Sequence, residues 1–196
     1  RAAYGAQMLT DITDIFLYAQ RGYFDYGFLG AAQVDMYGNI NTSVIGSMEH
    51  PRVRLPGSGG ANDIISLCNE VLIVTQHEPR RFVERVDFIT SPGYLSGGDS
   101  RARAGLLTGR LGAVVTDLAL LDFEPASRRM RLCALQPGVS VSQVREHTGF
   151  ELLVSDELTE LAPPTPEEIV IYRELRDGPA AGVAVPLPDR VAAGPA

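Results

Sequence analysis

The stretch best suited to chemistry is Leu55-Pro56-Gly57-Ser58-Gly59-Gly60-Ala61-Asn62-Asp63-Ile64. Closely spaced glycines let a ligand or a second backbone come near the main chain. A helix starting just beyond them would add free N–H groups and a partial positive charge. That combination suits a phosphate, a carboxylate or the oxyanion that develops on a thioester carbonyl. No Gly-Lys-Ser/Thr follows, so it is not a nucleotide P-loop. Asn62 stands where a dinucleotide fingerprint needs Gly or Ala. A tight structural turn would use the same glycines.

Three weaker candidates surround it. Met36-Tyr37-Gly38-Asn39-Ile40-Asn41-Thr42-Ser43 follows an apolar run, and polar loops at strand ends are where open α/β sheets place ligands. From spacing alone, a plain turn with Asn39 left-handed accounts for it better. His77-Glu78 follows a second apolar run; the pair has acid–base chemistry, but neighbours along a strand point to opposite faces. Arg80 and Arg81 suit an anion or a solvated charged turn. Cys68 and Cys133 each sit among apolar residues, as buried thiols do in a reducing compartment. With His50, His77 and His147 scattered, no spacing resembles a zinc site. No serine, histidine and acid group themselves as a nucleophilic triad.

Local patterning supplies the elements that hold these residues. Asp11–Gln20 reads as an amphipathic helix, with Ile12, Ile15, Phe16 and Ala19 at helical spacing. Tyr23–Val34 reads as a strand covered on both faces, and Ala61–Cys68 as a short helix. Glu70–Gln76 is a second buried strand and Phe82–Thr90 a third. Ser91–Arg110, rich in glycine and polar residues, reads as a surface loop. Ala113–Thr116, Leu118–Phe123 and Met130–Gln136 are three further strands. Ser140–Thr148 and Thr165–Arg176 are helices with Ser-x-x-Gln and Thr-x-x-Glu capping boxes, the second with Pro166 at its first position. Strands mixed with helices predict an α/β fold: an open mixed, partly parallel sheet with flanking helices. One domain is expected over residues 1–178, with 179–196 a flexible tail.

The 196 residues carry a net charge of −7 without any Lys/Arg cluster, which argues against a nucleic-acid surface. Arg110 and Asp117 interrupt the longest apolar stretches, so no membrane span is expected. No signal peptide is visible, and a cytoplasmic location is expected.

Taken in order, FLGAAQVDMYGNINTSVIG, LPGSGGANDI, VTQHEPRRFVERVDFITSPGYL, VVTDLALLDFE and the Pro137–Phe150 stretch resemble one family. The sequence is similar to the beta (B) subunit of family I coenzyme A transferases of the glutaconate type, over roughly Tyr23–Arg176. The resemblance implies an alpha (A) subunit as partner and coenzyme A, or acyl-CoA, as substrate, with no permanently bound cofactor and no metal. It implies CoA transfer to a carboxylate through an acyl–glutamyl anhydride and a glutamyl-CoA thioester. Gly57, Ser58, Gly59, Gly60 and Ala61 then form the CoA and oxyanion loop, and Asn62 and Asp63 fix it. By position, Gln33, Asp35, Asn39 and Asn41 shape the acyl pocket. The nucleophilic glutamate of the family is expected upstream of Arg1, with the early strands of the fold. Glu49, Glu70 and Glu78 do not match its motif, so this chain alone is expected to be inactive. Two alternatives stand beside the transferase. One is a hydrolase opening a ring of a steroid-derived CoA thioester, a branch that departs from GSGGANDI. The other is a non-catalytic subunit completing a partner's CoA site.

Overall fold

The computed structural model describes residue 6 and residues 8–177. The expected tail over 179–196 lies outside the described residues. The chain divides into two compact units: Ile12–Ala162, and the two ends, Arg1–Asp11 with Pro163–Ala196.

The larger unit is built on a six-stranded mixed sheet. Its strands are β1 (Tyr26–Leu29), β6 (Glu70–Val74), β7 (Arg110–Val115), β8 (Ala119–Phe123), β9 (Met130–Leu135) and β10 (Leu153–Glu160), in that spatial order. β1, β6 and β7 run parallel, β7–β8–β9 is an antiparallel meander, and β9 and β10 are parallel again. The expected open, partly parallel α/β sheet is therefore present. Two small ribbons flank it: β2 (Gln33–Val34) with β3 (Ile40–Asn41), and β4 (Val44–Gly46) with β5 (Pro51–Arg54).

One face of the sheet is the core. Val71, Ile73, Val114, Ala119, Leu121, Met130 and Leu132 alternate along their strands and are buried, as period-2 patterning requires. Helix α2 (Ala61–Leu67) buries Ile65 against this core and lies close over β1. A Cβ at Gly27 would fall 2.6 Å from Ile64 Cγ2 and 3.1 Å from Cys68 Sγ, so only glycine admits the helix here. Helix α1 (Ile12–Gln20) packs on α2, with the Phe16 ring against Gly60.

Some expected elements differ. The predicted strand Tyr23–Val34 breaks into β1 and β2, and β1 is covered on one face only, leaving Tyr26 and Phe28 58% and 64% exposed. The predicted strand Phe82–Thr90 forms no ladder. Phe82 bridges Val34, Ser91 bridges Ile40, and the Asp87 amide bonds the Gln33 side chain instead of a strand. Ser91–Arg110 is not a plain surface loop. It contains the one-turn helix α3 (Ser100–Arg103) and buries Ser91, Tyr94, Ser100 and Arg101. The guanidinium of Arg101 donates to four carbonyls, those of Pro92, Gly93, Ile65 and Thr108, and so ties the segment to the end of α2.

Helix α4 (Val141–Glu146) begins as expected, with the Ser140 hydroxyl accepting the Gln143 amide. In the second unit, α5 (Pro166–Asp177) has the full reciprocal capping box. Glu168 accepts the Thr165 amide at 2.8 Å and Thr165 Oγ1 accepts the Glu168 amide at 3.2 Å. Among the described residues, no helix is long and apolar enough to cross a membrane.

Candidate functional site

The Gly57–Ala61 loop links β5 to α2 at the carboxyl end of β1. Its two ends are tied down and its middle is not. At the start, the Gly57 amide donates to Thr42 O and Thr42 Oγ1 donates to Gly57 O, both at 2.8 Å. At the end, Ala61 N donates to Ser58 O and Asn62 N to Ser58 Oγ. Between them, the amides of Ser58, Gly59 and Gly60 have no acceptor among the described residues.

The backbone there changes hand. Gly57 and Gly59 take φ of 94° and 50°, and Gly60 takes φ −86°, ψ 5°. Successive amides in such turns converge into an anion-binding concavity. A Cβ on Gly57 or Gly59 would meet nothing within 4 Å, so the space beside the loop is open. Gly60 differs: its Cβ would strike the Phe16 ring at 2.5 Å. Asn62 donates its side-chain N–H to Thr90 O at 3.0 Å, and Asp63 lies in the first turn of α2, where a carboxylate complements the helix dipole.

Gln33, Asp35, Asn39 and Asn41 are all buried, and their polar atoms are engaged with the protein itself. Asp35 accepts the amides of Tyr37 and Asn39 and the Asn39 side-chain N–H. Burial raises its carboxyl above the ordinary aspartate value, and the hydrogen bonds from Asn39 and Tyr37 work the other way. Asn39 Oδ1 accepts the amides of Gly93 and Leu95 at 2.9 and 3.1 Å, and Asn39 Nδ2 donates to Leu95 O. Gln33 donates to Asp87 and accepts from Asn41 and from the Asp87 amide. Asn41 Oδ1 accepts the amides of Ser43 and Val44. The four side chains thus hold segments 42–44 and 87–95 in place. Asp35 and Asn39 also border an open groove of about 1320 Å³, whose other wall is residues 84–89. Gly57–Ala61 are not among its lining residues.

The remaining candidates have structural surroundings. His77 is 2% exposed, stacks on Phe82 at 4.0 Å, and lies within hydrogen-bond reach of the Thr116 and Thr148 hydroxyls through its two ring nitrogens. Burial lowers its pKa to about 4, against the opposing pull of Asp117. Glu78 pairs with Arg80 and Arg81, so neither arginine presents an isolated charge. Glu70 pairs with Arg110 and Glu49 is exposed. Cys68 is a buried free thiol, and burial raises the Cys133 thiol to about 11, far from a reactive thiolate. No cluster able to hold a metal occurs among the described residues.

Sequence reasoning touched Thr42 only as part of the 36–43 stretch, and missed Thr90 and Asp87. Each acts through hydrogen bonds to residues 15 to 54 positions away in the chain, which no local periodicity encodes.

Known proteins share this fold and much of this sequence. A family model described as coenzyme A transferase matches residues 2–147. The chain is 44% identical to the B subunit of 3-oxoadipate CoA-transferase from Pseudomonas knackmussii over 169 residues, 86% of this chain and 65% of that protein. It is also 44% identical to the B subunit of glutaconate CoA-transferase from Acidaminococcus fermentans over 161 residues, 81% of this chain and 59% of that protein. The crystal structure of glutaconate coenzyme A-transferase from Acidaminococcus fermentans superposes with a TM-score of 0.80 at 36% identity, covering 86% of this chain and 66% of that one. A cholesterol ring-cleaving hydrolase subunit of Mycobacterium tuberculosis is 31% identical over 150 residues, 76% of this chain and 59% of that protein. The chain therefore spans about three-fifths of the length of the curated relatives it matches. With the family model matched over most of the chain, this protein belongs to the coenzyme A transferase family.

Proposed function

We propose that this chain is part of the B subunit of a CoA-transferase that moves CoA from an acyl-CoA to a carboxylate. The observation that carries the reading is the run of amides at Ser58, Gly59 and Gly60, without acceptors among the described residues and beside open space.

In the proposed reaction a glutamate carboxylate, supplied from outside residues 1–196, attacks the thioester carbonyl. The tetrahedral oxyanion collapses, CoA leaves as thiolate and an acyl–glutamyl anhydride remains. The thiolate then attacks the glutamyl carbonyl, which frees the first carboxylate and leaves glutamyl-CoA. An acceptor carboxylate runs the two steps in reverse. Each tetrahedral state places negative charge on a carbonyl oxygen, and the loop amides are suited to receive it; one such donor is worth about 3 kcal/mol. A partly exposed loop beside open space is consistent with a site completed by an alpha subunit. The relatives' names point to dicarboxylate acceptors, glutaconate or 3-oxoadipate. We further propose a cytoplasmic, heteromeric enzyme that needs no bound metal or cofactor.

The hydrolase reading rests on the 31% identical relative. Acceptor use separates the two: a transferase requires a second carboxylate and forms its CoA ester, whereas a ring-opening hydrolase consumes water and keeps CoA on its product.

The test is Gly59→Asn in the full-length beta subunit assembled with its alpha partner, assayed with acetyl-CoA or succinyl-CoA as donor and glutaconate or 3-oxoadipate as acceptor. Asn tolerates φ near 50°, and its side chain enters open space, so assembly should survive. Turnover should fall by about a hundredfold. Unchanged turnover would reject the loop as the site. Gly60→Val is a poorer probe, because it would also displace Phe16 and with it α1.

A further inference from the structure

The amides of Ser58, Gly59 and Gly60 can act as a unit only if both ends of their loop are held, and both ends lead to one residue, Thr90. Thr90 is 5% exposed and lies between the small ribbons and the loop. Its Oγ1 accepts the Thr42 amide at 2.9 Å, lies 2.7 Å from Ser43 Oγ, and reaches Asn41 Oδ1 at 3.5 Å. Thr42 in turn clamps Gly57 through two hydrogen bonds. The Thr90 carbonyl accepts the side chain of Asn62, just past the other end of the loop. Its own amide is fixed on Ile40 O, in β3. One hydroxyl and one carbonyl of a single residue thus set the start and the finish of the glycine loop relative to β3.

We propose that Thr90 is a positioning residue for the reaction: it fixes the direction of the loop amides and touches no reacting atom. The inference rests on the loop reading given above. Loss of the hydroxyl leaves the half-buried Thr42 amide without its acceptor, and Thr42, with Gly57 attached, must move to find another. Donors that bind an oxyanion only in the tetrahedral states affect kcat more than KM, and small displacements of such groups are expensive in rate.

The experiment compares Thr90→Val, Thr90→Ser and Thr116→Val in the complete two-subunit enzyme, with Gly59→Asn alongside. Thr116 is the control. It is equally buried, and its hydroxyl accepts two backbone amides, those of Leu118 and Ala119, where that of Thr90 accepts one, but it lies at the β7–β8 turn and has no bond to the loop. Thr90→Val should lower kcat per folded enzyme at least about tenfold with KM for the acyl-CoA within about twofold. Thr90→Ser, which keeps the hydroxyl, should restore turnover. Thr116→Val should lose melting temperature but keep kcat. If Thr90→Val behaves like Thr116→Val while Gly59→Asn is impaired, the positioning role is overturned and the loop reading stands. If Gly59→Asn also turns over normally, the loop reading falls and this inference with it.

Discussion

At the residue scale, the buried polar side chains of this chain serve backbone geometry more than they serve solvent or ligand. Asn39, Asn41 and Thr90 each take two backbone amides or a pair of hydroxyl and amide contacts. Sequence reading found Asn39 and Asn41, because turn chemistry marks them, and assigned them to a pocket wall; the fold shows that their side chains also hold distant backbone segments, with Asn39 at the edge of the open groove. His77 shows the same principle with a titration attached. Its neutral ring is stacked on Phe82 between two threonine hydroxyls. The folded pKa of about 4 lies below the ordinary value of 6.5, so the native state binds fewer protons than the unfolded one between those limits. The contribution is therefore complete above pH 6.5 and is lost as pH falls toward 4, at most about 3 kcal/mol in all. Urea midpoints measured at about pH 7, 5.5 and 4 should fall steadily, and His77→Gln should flatten that dependence while lowering the midpoint at neutral pH. A parallel pH profile in the variant would assign the acid sensitivity to other groups.

At the element scale, what was legible in the sequence followed from local rules. The capping residues Ser140 and Thr165 marked their helices, and the apolar runs Glu70–Val74 and Met130–Leu135 marked β6 and β9. Elements defined by long-range pairing were not legible. β10 carries polar residues on both sides and is held by parallel pairing to β9 across an irregular register. The 91–110 segment looked like solvent-facing loop because its order comes from Arg101 and from backbone contacts with distant turns. Gly93 is the tightest of those contacts. A Cβ there would lie 2.3 Å from Gly38 C, 2.4 Å from Gly38 O and 2.5 Å from Tyr37 O, all backbone atoms that cannot swing aside. Gly93→Ala must separate the 35–39 turn from the 92–95 segment and break the Gly93 bond to Asn39. It should cost about 3 kcal/mol or more in chemical denaturation. Gly138→Ala, at φ 76° with nothing within 4 Å, should cost only about 1 kcal/mol. Equal losses would show that the two backbone segments part at little cost and that the close approach does not decide the Gly93 position.

At the scale of the whole molecule, the sheet is covered unequally. One face is the core; on the other, near the β1 edge, Tyr26, Phe28 and Val74 are 58%, 64% and 50% exposed. The register places Phe28, Leu72 and Ala113 in one row and Val74 and Val115 in the next, so these side chains form an apolar patch across β1, β6 and β7. β1 is also an edge strand, with one row of N–H and C=O groups outside the six-stranded ladder. Apolar surface beside an unpaired edge is prone to self-association. The net charge of −7 opposes it, through a repulsion that salt screens over about 10 Å at roughly 0.1 M. Residues 1–196 on their own should therefore associate more as salt is raised, as followed by sedimentation velocity. Phe28→Thr should weaken that association at every salt concentration. Threonine keeps the strand preference of a β-branched residue, and a side chain already mostly in water gives up little burial, so the stability should move by less than about 0.5 kcal/mol. Undiminished association in Phe28→Thr would place the contact elsewhere on the surface; a large loss of stability would show that this face is packed in solution.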